Sequence, residues 1–258
     1  MPENILKRIL DTKTIEVARL KARNIKQQYN DLAAQLPPTR RFFSVLHRPS
    51  EAPLRLIAEL KKASPSRGVM VEDFDPFHLA ETYRALGASA FSVLTDEQFF
   101  HGKADDLSNV KMTFPLPVLR KDFIIDESQV YESRLMGADA ILLIVAALSR
   151  LRLQELMFLA HSLMLETLVE VHNEDELQIA LESGAKLIGI NNRNLVDFSV
   201  DLQTSLRLKA LIPAGIVTVS ESGIKSQDDL RLIDEAGFDA VLIGEGLLEK
   251  EKLNYKWQ

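Results

Sequence analysis

From Leu54 onward two hydrophobic patterns alternate along the chain. Short, nearly continuous apolar runs occur at Leu54–Leu60, Ala88–Leu94, Pro117–Phe123, Asp139–Val145, Glu166–Val171, Lys186–Asn191, Ile216–Ser220 and Ala240–Gly244. Amphipathic stretches lie between most of them, such as Pro76–Leu86, Glu127–Met136, Asn173–Ser183 and Gln227–Ala236. A strand that is apolar on both faces must be covered on both, as in a parallel sheet beneath helices. Leu86-Gly87-Ala88, Met136-Gly137-Ala138, Ser183-Gly184-Ala185 and Ala236-Gly237-Phe238 each place a glycine where a helical pattern stops, as a left-handed C-cap requires. Eight strands in such repeating units predict an α/β fold of the closed (β/α)8 TIM-barrel type. A doubly wound open sheet is the competing arrangement, but the Gly-rich first turn of its dinucleotide-binding form is missing.

Upstream of the first strand, Ile5, Leu6, Ile9, Leu10, Val17, Leu20 and Ile25 recur at helical spacing among many charges, until Pro37 and Pro38 end the pattern. Helix is therefore expected over about Pro2–Ala34. Residues 1–50 form an expected helical N-terminal extension within a single domain spanning 1–258, close to the ~250 residues of such barrels.

Composition adds mainly exclusions. A net charge of −6 argues against bulk nucleic-acid binding. The chain has no cysteine, which removes disulfides and thiolate chemistry. Glu3, Lys7, Arg8 and Asp11 interrupt the N-terminus where a secretory signal needs an unbroken apolar core. The longest apolar run, Ala140 to Leu148, is too short to cross a bilayer as a helix. A cytoplasmic protein with neither nucleic acid nor membrane as partner is the expectation. The five histidines show no metal-ligand spacing.

The informative residues are the charges at strand ends, because these barrels place their sites at the carboxyl ends of the strands. Glu59 and Lys61 close the first strand at i, i+2, so they point the same way. Lys121 closes the third strand, Glu170 the fifth and Asn191 the sixth, and Glu221 follows the seventh. Any one of these reads equally well as a solvated strand end or an ion pair. Folding gains little from burying all six together, so they predict acid–base chemistry on an anionic substrate. Ser64-Pro65-Ser66 after the first strand, Ser220-Glu221-Ser222-Gly223 after the seventh and Ile243-Gly244-Glu245-Gly246 after the eighth suggest a phosphate site. Arg193 is a candidate support for Asn191 or a nearby carboxylate, and Phe99-Phe100 for an aromatic ring. His172, two residues after Glu170, reads as a strand-end surface residue, with a place lining the site as the alternative, and Arg40-Arg41 as a solvated turn, with a place beside the substrate's anionic groups as the alternative.

Together, Leu56–Ser66, Leu119–Phe123, Leu168–His172, Ile188–Leu195, Ser220–Ile224 and Leu242–Glu245 resemble the indole-3-glycerol phosphate synthase family of tryptophan biosynthesis. The resemblance runs in order from about Ile5 to Leu248. It implies a carboxy-lyase that closes 1-(2-carboxyphenylamino)-1-deoxyribulose 5-phosphate to indole-3-glycerol phosphate, releasing carbon dioxide and water. It implies no cofactor and no metal, a small-molecule substrate bearing carboxylate and phosphate, and is compatible with a monomer. By the same resemblance Lys121 is the general acid, Lys61 the anchor of the substrate carboxylate, and Glu170 the catalytic carboxylate. Glu59, Asn191 and Glu221 orient the lysines and sugar hydroxyls. Ser64, Ser222, Gly223, Gly244 and Glu245 match the phosphate site, Glu245 through its backbone N–H, and Arg193 and Phe123 complete the binding residues. The short charged tail after Leu248 departs from the family's longer closing helix. Without a second catalytic domain, the chain resembles the monofunctional form. Two alternatives remain, a non-catalytic phosphate-binding barrel and another phosphate-binding barrel isomerase. One such isomerase, phosphoribosylanthranilate isomerase, uses a cysteine as base, which this chain lacks.

Overall fold

The computed structural model describes residues 5–49, 52–195, 198–248 and Trp257. Eight parallel strands close into a barrel: β1 (Arg55–Leu60), β2 (Ala90–Leu94), β3 (Val118–Lys121), β4 (Ala140–Ile144), β5 (Glu166–Val171), β6 (Leu187–Asn191), β7 (Val217–Glu221) and β8 (Ala240–Ile243). Each pairs with its neighbours in sequence, and β1 pairs with both β2 and β8, so no sheet edge is left. The open-sheet alternative is thereby removed. All eight strands overlap the apolar runs of the sequence.

The helices between them fall where the amphipathic pattern predicts, as α4 (Pro76–Ala85), α7 (Glu127–Leu135), α9 (Glu174–Glu182) and α11 (Gln227–Glu235). Their starts are chemically marked. Asp75, Asp126, Asn173 and Ser226 each accept hydrogen bonds from backbone N–H groups of the first turn, satisfying donors that helix geometry leaves without partners. Gly87, Gly137, Gly184 and Gly237 all have positive φ.

Strand periodicity then divides the apolar residues into two sets. Leu56, Ala58 and Leu60 of β1, with Val169 and Val171 of β5, face the helical layer and join the large core around it. Ile57, Leu119, Leu142, Leu168, Val219 and Leu242 fill the barrel interior. Two residues further along several strands, the same inward parity reaches Glu59, Lys121, Glu170 and Glu221. The interior is thus apolar below and charged at its carboxyl-terminal rim.

The N-terminal segment is helical over the expected stretch but is broken into several pieces. It consists of α1 (Ile5–Ala22), α2 (Ile25–Leu32), a single 3-10 turn and α3 (Phe42–Leu46). Asn24 between α1 and α2 lies in the left-handed region at φ 51°, and apolar spacing carries no trace of such a break. Arg40, expected in a solvated turn, is half-buried at the opposite end of the barrel. Its guanidinium donates to the carbonyls of Leu116 at 2.7 Å and Lys111 at 3.0 Å. The tail after Leu248 lies outside the described residues apart from Trp257, which is buried in the outer core. Among the described residues, no helix is long and apolar enough to cross a membrane.

Candidate active site

A cavity of about 740 Å³ opens at the carboxyl-terminal rim of the barrel. All thirteen residues singled out from the sequence line it: Glu59, Lys61, Ser64, Lys121, Phe123, Glu170, Asn191, Arg193, Glu221, Ser222, Gly223, Gly244 and Glu245. They come from six different strand ends, so only closure of the barrel brings them together. Strand register does much of this work. It sets Asn191 beside Glu221, and Glu170 beside Gly189.

Lys121 is the hub. Its Nζ lies 3.2 Å from Glu170 Oε2 and 3.5 Å from Glu221 Oε2. Burial alone would push the ammonium down, but the carboxylates of Glu170, Glu221 and Glu59 outweigh it and hold Lys121 above the usual lysine range. Lys61 Nζ lies 2.5 Å from Glu59 Oε1. Burial opposes ionisation of Glu59, yet Lys61 and Lys121 hold its carboxyl below the usual range.

Glu170 and Glu221 are separated by their surroundings. Burial works against the Glu170 charge, but Lys121 and His172 overcome it and keep the carboxyl well below its ordinary value. Glu221 is pushed up to about 8, chiefly by burial and then by Glu170 and Glu59, with Lys121 acting in the opposite direction. The two carboxyls are therefore pushed in opposite directions, Glu170 toward the ionised and Glu221 toward the protonated form, a separation of the kind acid–base catalysis uses.

Gly189 on β6 makes room for this arrangement. A Cβ there would sit 2.1 Å from Glu221 Oε1 and 3.3 Å from Leu168 Cδ1. Gly189→Ala is expected to cost about 1–3 kcal/mol through overpacking and to lower kcat by displacing Glu221. Thermal unfolding and steady-state rates check this; a variant matching the parent in both would show that Glu221 is free to move.

One end of the cavity is polar and glycine-rich. Ser222 and Gly223 both have positive φ, at 64° and 87°, and α12 (Glu245–Leu248) starts directly after Gly244. The Glu245 carboxylate, expected to play no part, holds two guanidiniums. Its oxygens lie 3.2 Å from Arg67 Nε and 3.8 Å from Arg193 Nη2. The Arg193 backbone N–H donates to Asn191 Oδ1 at 3.0 Å, so Arg193 does support Asn191, but through its main chain.

The opposite end is apolar. Phe123 and Phe100 lie 6.1 Å apart between ring centroids, and Leu142 and Ile144 join them in the lining. Ile5, Leu6 and Ile9 of α1 close the same side. The extension therefore forms part of the pocket wall. Phe99 does not line the cavity.

The sequence reading also passed over a buried cluster beneath α1. Lys13 Nζ lies 2.8 Å from each of Glu16 Oε2, Asp96 Oδ2 and Asp122 Oδ1, and the lysine is 1% exposed. Asp122 immediately follows Lys121, and Asp96 caps α5 (Glu97–Phe100) by accepting from the N–H groups of Phe99 and Phe100. The only sequence signal was two aspartates just past strand ends.

Comparison with known proteins adds independent findings. A sequence profile of the family described as "Indole-3-glycerol phosphate synthase" matches residues 6–258. A Chloroherpeton thalassium protein of that name is 58% identical over 255 residues, 98% of each chain. Its namesakes from Chlorobium chlorochromatii and Chlorobaculum tepidum are 56% and 54% identical, covering 94% and 98% of each chain. Among solved structures, the N-acetylmannosamine-6-phosphate 2-epimerase from Clostridium perfringens superposes with a TM-score of 0.60 at 13% identity, over 82% of this chain and 95% of that one. At that identity the likeness extends to the barrel fold alone.

Proposed function

Since the chain belongs to the indole-3-glycerol phosphate synthase family, with near-complete coverage by both profile and relatives, we propose that the charged rim around Lys121 is where it makes indole-3-glycerol phosphate. The substrate is 1-(2-carboxyphenylamino)-1-deoxyribulose 5-phosphate, and the reaction is that of a carbon–carbon lyase. The observation that carries the assignment is Lys121 held between Glu170 and Glu221 at the floor of a cavity with one apolar and one polar end.

The two ends suit the two ends of the substrate. The carboxyphenyl ring packs among Phe100, Phe123, Leu142 and Ile144, under Ile9. The phosphate lies by Ser64, Ser222, Gly223, Gly244 and the Glu245 N–H, after strands β1, β7 and β8, a position that barrels favour for phosphate. Lys61 meets the ring carboxylate. Lys61 and Lys121 are the two cations the rim offers that anion.

Closure then follows in balanced steps. The ring carbon bearing the carboxylate attacks the ketone carbon, and the carbonyl electrons move to oxygen. That alkoxide is far more basic than any carboxylate present, so even the strongly held Lys121 proton passes to it. The carbon–carboxylate bond breaks, carbon dioxide leaves, and its electron pair neutralises the cationic intermediate. A second proton, from Lys61, lets the hydroxyl leave as water, while Glu170 removes the proton whose loss makes the ring aromatic. Glu59 and Asn191 hold the groups in place.

Adding the substrate to the protein is expected to produce indole fluorescence and one carbon dioxide per indole. A binding barrel would produce neither, and an isomerase would release no carbon dioxide. Ser64→Ala should raise KM by about tenfold, the weight of one hydrogen bond to a charged group, with kcat nearly unchanged. An unaltered KM would count against phosphate at Ser64.

A further inference from the structure

His172 stands at the exit of β5, two residues after Glu170, and was expected at the surface. Its side chain is 12% exposed and lies between two carboxylates. Nε2 is 3.3 Å from Glu170 Oε1, and Nδ1 is 2.9 Å from Glu176 Oε2. Glu176 is fixed in turn, because its Oε2 accepts the backbone N–H of His172 at 2.8 Å and its Oε1 accepts Asn173 Nδ2 at 2.7 Å. Glu176 belongs to the first turn of α9, whose cap is the Asn173 side chain. The imidazole is thus held by a rigid helix start on one side and touches Glu170 on the other. Lys121 meets Glu170 through Oε2 while His172 meets it through Oε1, so each oxygen of the carboxylate has its own cation.

We propose that His172 is a positioning residue for the ring closure: a cationic brace, seated on Glu176, that fixes the Glu170 carboxylate in the orientation it needs as a base. The brace rests on the reading of Glu170 as the catalytic carboxylate. Its charge state is set by what surrounds it. Burial would discharge the imidazole, but Glu170 and Glu176 overcome that and raise its pKa to about 10. Glu170 itself faces Lys121 from β3, His172 from β5, Asn191 from β6, Glu221 from β7 and Glu59 from β1. Of these, Lys121 and His172 are the cations that keep it ionised, and Lys121 must give up its proton during closure. At that moment His172 is the remaining neighbouring cation, so it keeps Glu170 from taking the proton meant for the alkoxide. A histidine is suited to this because its second nitrogen can be anchored without bringing a long side chain into the pocket.

The test is the pH dependence of kcat for the wild type, His172→Gln, Glu176→Gln and Glu170→Gln. Activity requires Glu170 ionised, so the acid limb lies where Glu170 gains its proton. Losing the brace raises that value, and the acid limb of His172→Gln moves to higher pH by about one unit or more, the usual effect of a single close countercharge. KM stays within about twofold, because the histidine does not reach the substrate. Glu176→Gln moves the limb the same way by less. A purely structural role would lower the unfolding temperature and leave the limb in place. An acid limb in His172→Gln that superimposes on the wild type, with Glu170→Gln inactive, overturns the brace alone. If His172→Gln does not fold, Glu176→Gln decides: a shifted limb supports the brace and an unmoved one overturns it. Wild-type turnover in Glu170→Gln overturns the catalytic reading of Glu170, and the brace with it.

Discussion

Replacing Lys121 with methionine is expected to cut kcat by about 10²–10⁴-fold, the range for losing a positioned proton donor, while KM changes little. The reason is geometric as well as chemical. Lys121 is the only side chain within ion-pair distance of both Glu170 and Glu221 among the described residues. The substitution also leaves the buried Glu170 and Glu221 without their shared cation, so some stability is lost. Circular dichroism and a melting curve separate that loss from the catalytic one, because a folded, inactive variant is the expected result. Turnover within a few-fold of the wild type would remove Lys121 from the role of acid.

The second large effect is expected at Lys13. Lys13→Met should destabilise the fold by about 3–5 kcal/mol, the cost of leaving buried charges unpaired. At about 2–4 °C per kcal/mol for a chain approaching this size, the melting temperature should fall by roughly 6–20 °C. Burial disfavours the Lys13 charge, but Asp122 and Asp96 reverse the balance and raise its pKa. Asp122 is held at about 2 against burial by Arg120 and Lys13. The sign of the pH dependence follows. In the parent, a carboxyl depressed below its unfolded value contributes stability at neutral pH that is lost as pH falls toward 2. In the variant, Asp122 loses its lysine and its folded pKa rises, so the deficit is largest at neutral pH and shrinks as acid protonates that carboxyl. A deficit that stays constant as pH falls from about 4 to 2 would contradict this account. Activity should suffer too, through KM, because the same helix brings Ile5, Leu6 and Ile9 to the pocket wall.

These two lysines show what could be read in the sequence and what could not. Lys121 was legible because it ends an apolar strand run, where a charge has few reasons to be. The same logic found Glu59, Glu170, Asn191 and Glu221, and barrel closure delivered them to one rim. Lys13 sits in a helix with a charge at almost every second position, and nothing local distinguishes an inward lysine from its solvated neighbours. Its partners Asp96 and Asp122 are more than eighty residues away in sequence. Arg40 was missed for the same reason, as its acceptors are carbonyls of a distant helix and loop. His172 reads as a surface residue in the sequence because strand periodicity ends just where its side chain turns inward. The Glu245 carboxylate was set aside, yet it gathers Arg67 and Arg193, contacts that depend on how two loops meet.

Strand ends far apart in sequence act here as one catalytic unit, and a double-mutant cycle between Lys121 and Glu170 puts that to the test. The kcat of Lys121→Met, Glu170→Gln and the combined variant would be measured at a single pH with the same substrate. If the two groups serve one transition state, the double variant should be about as slow as the slower single one. Penalties that simply multiply would mean the two act independently and would contradict a shared site.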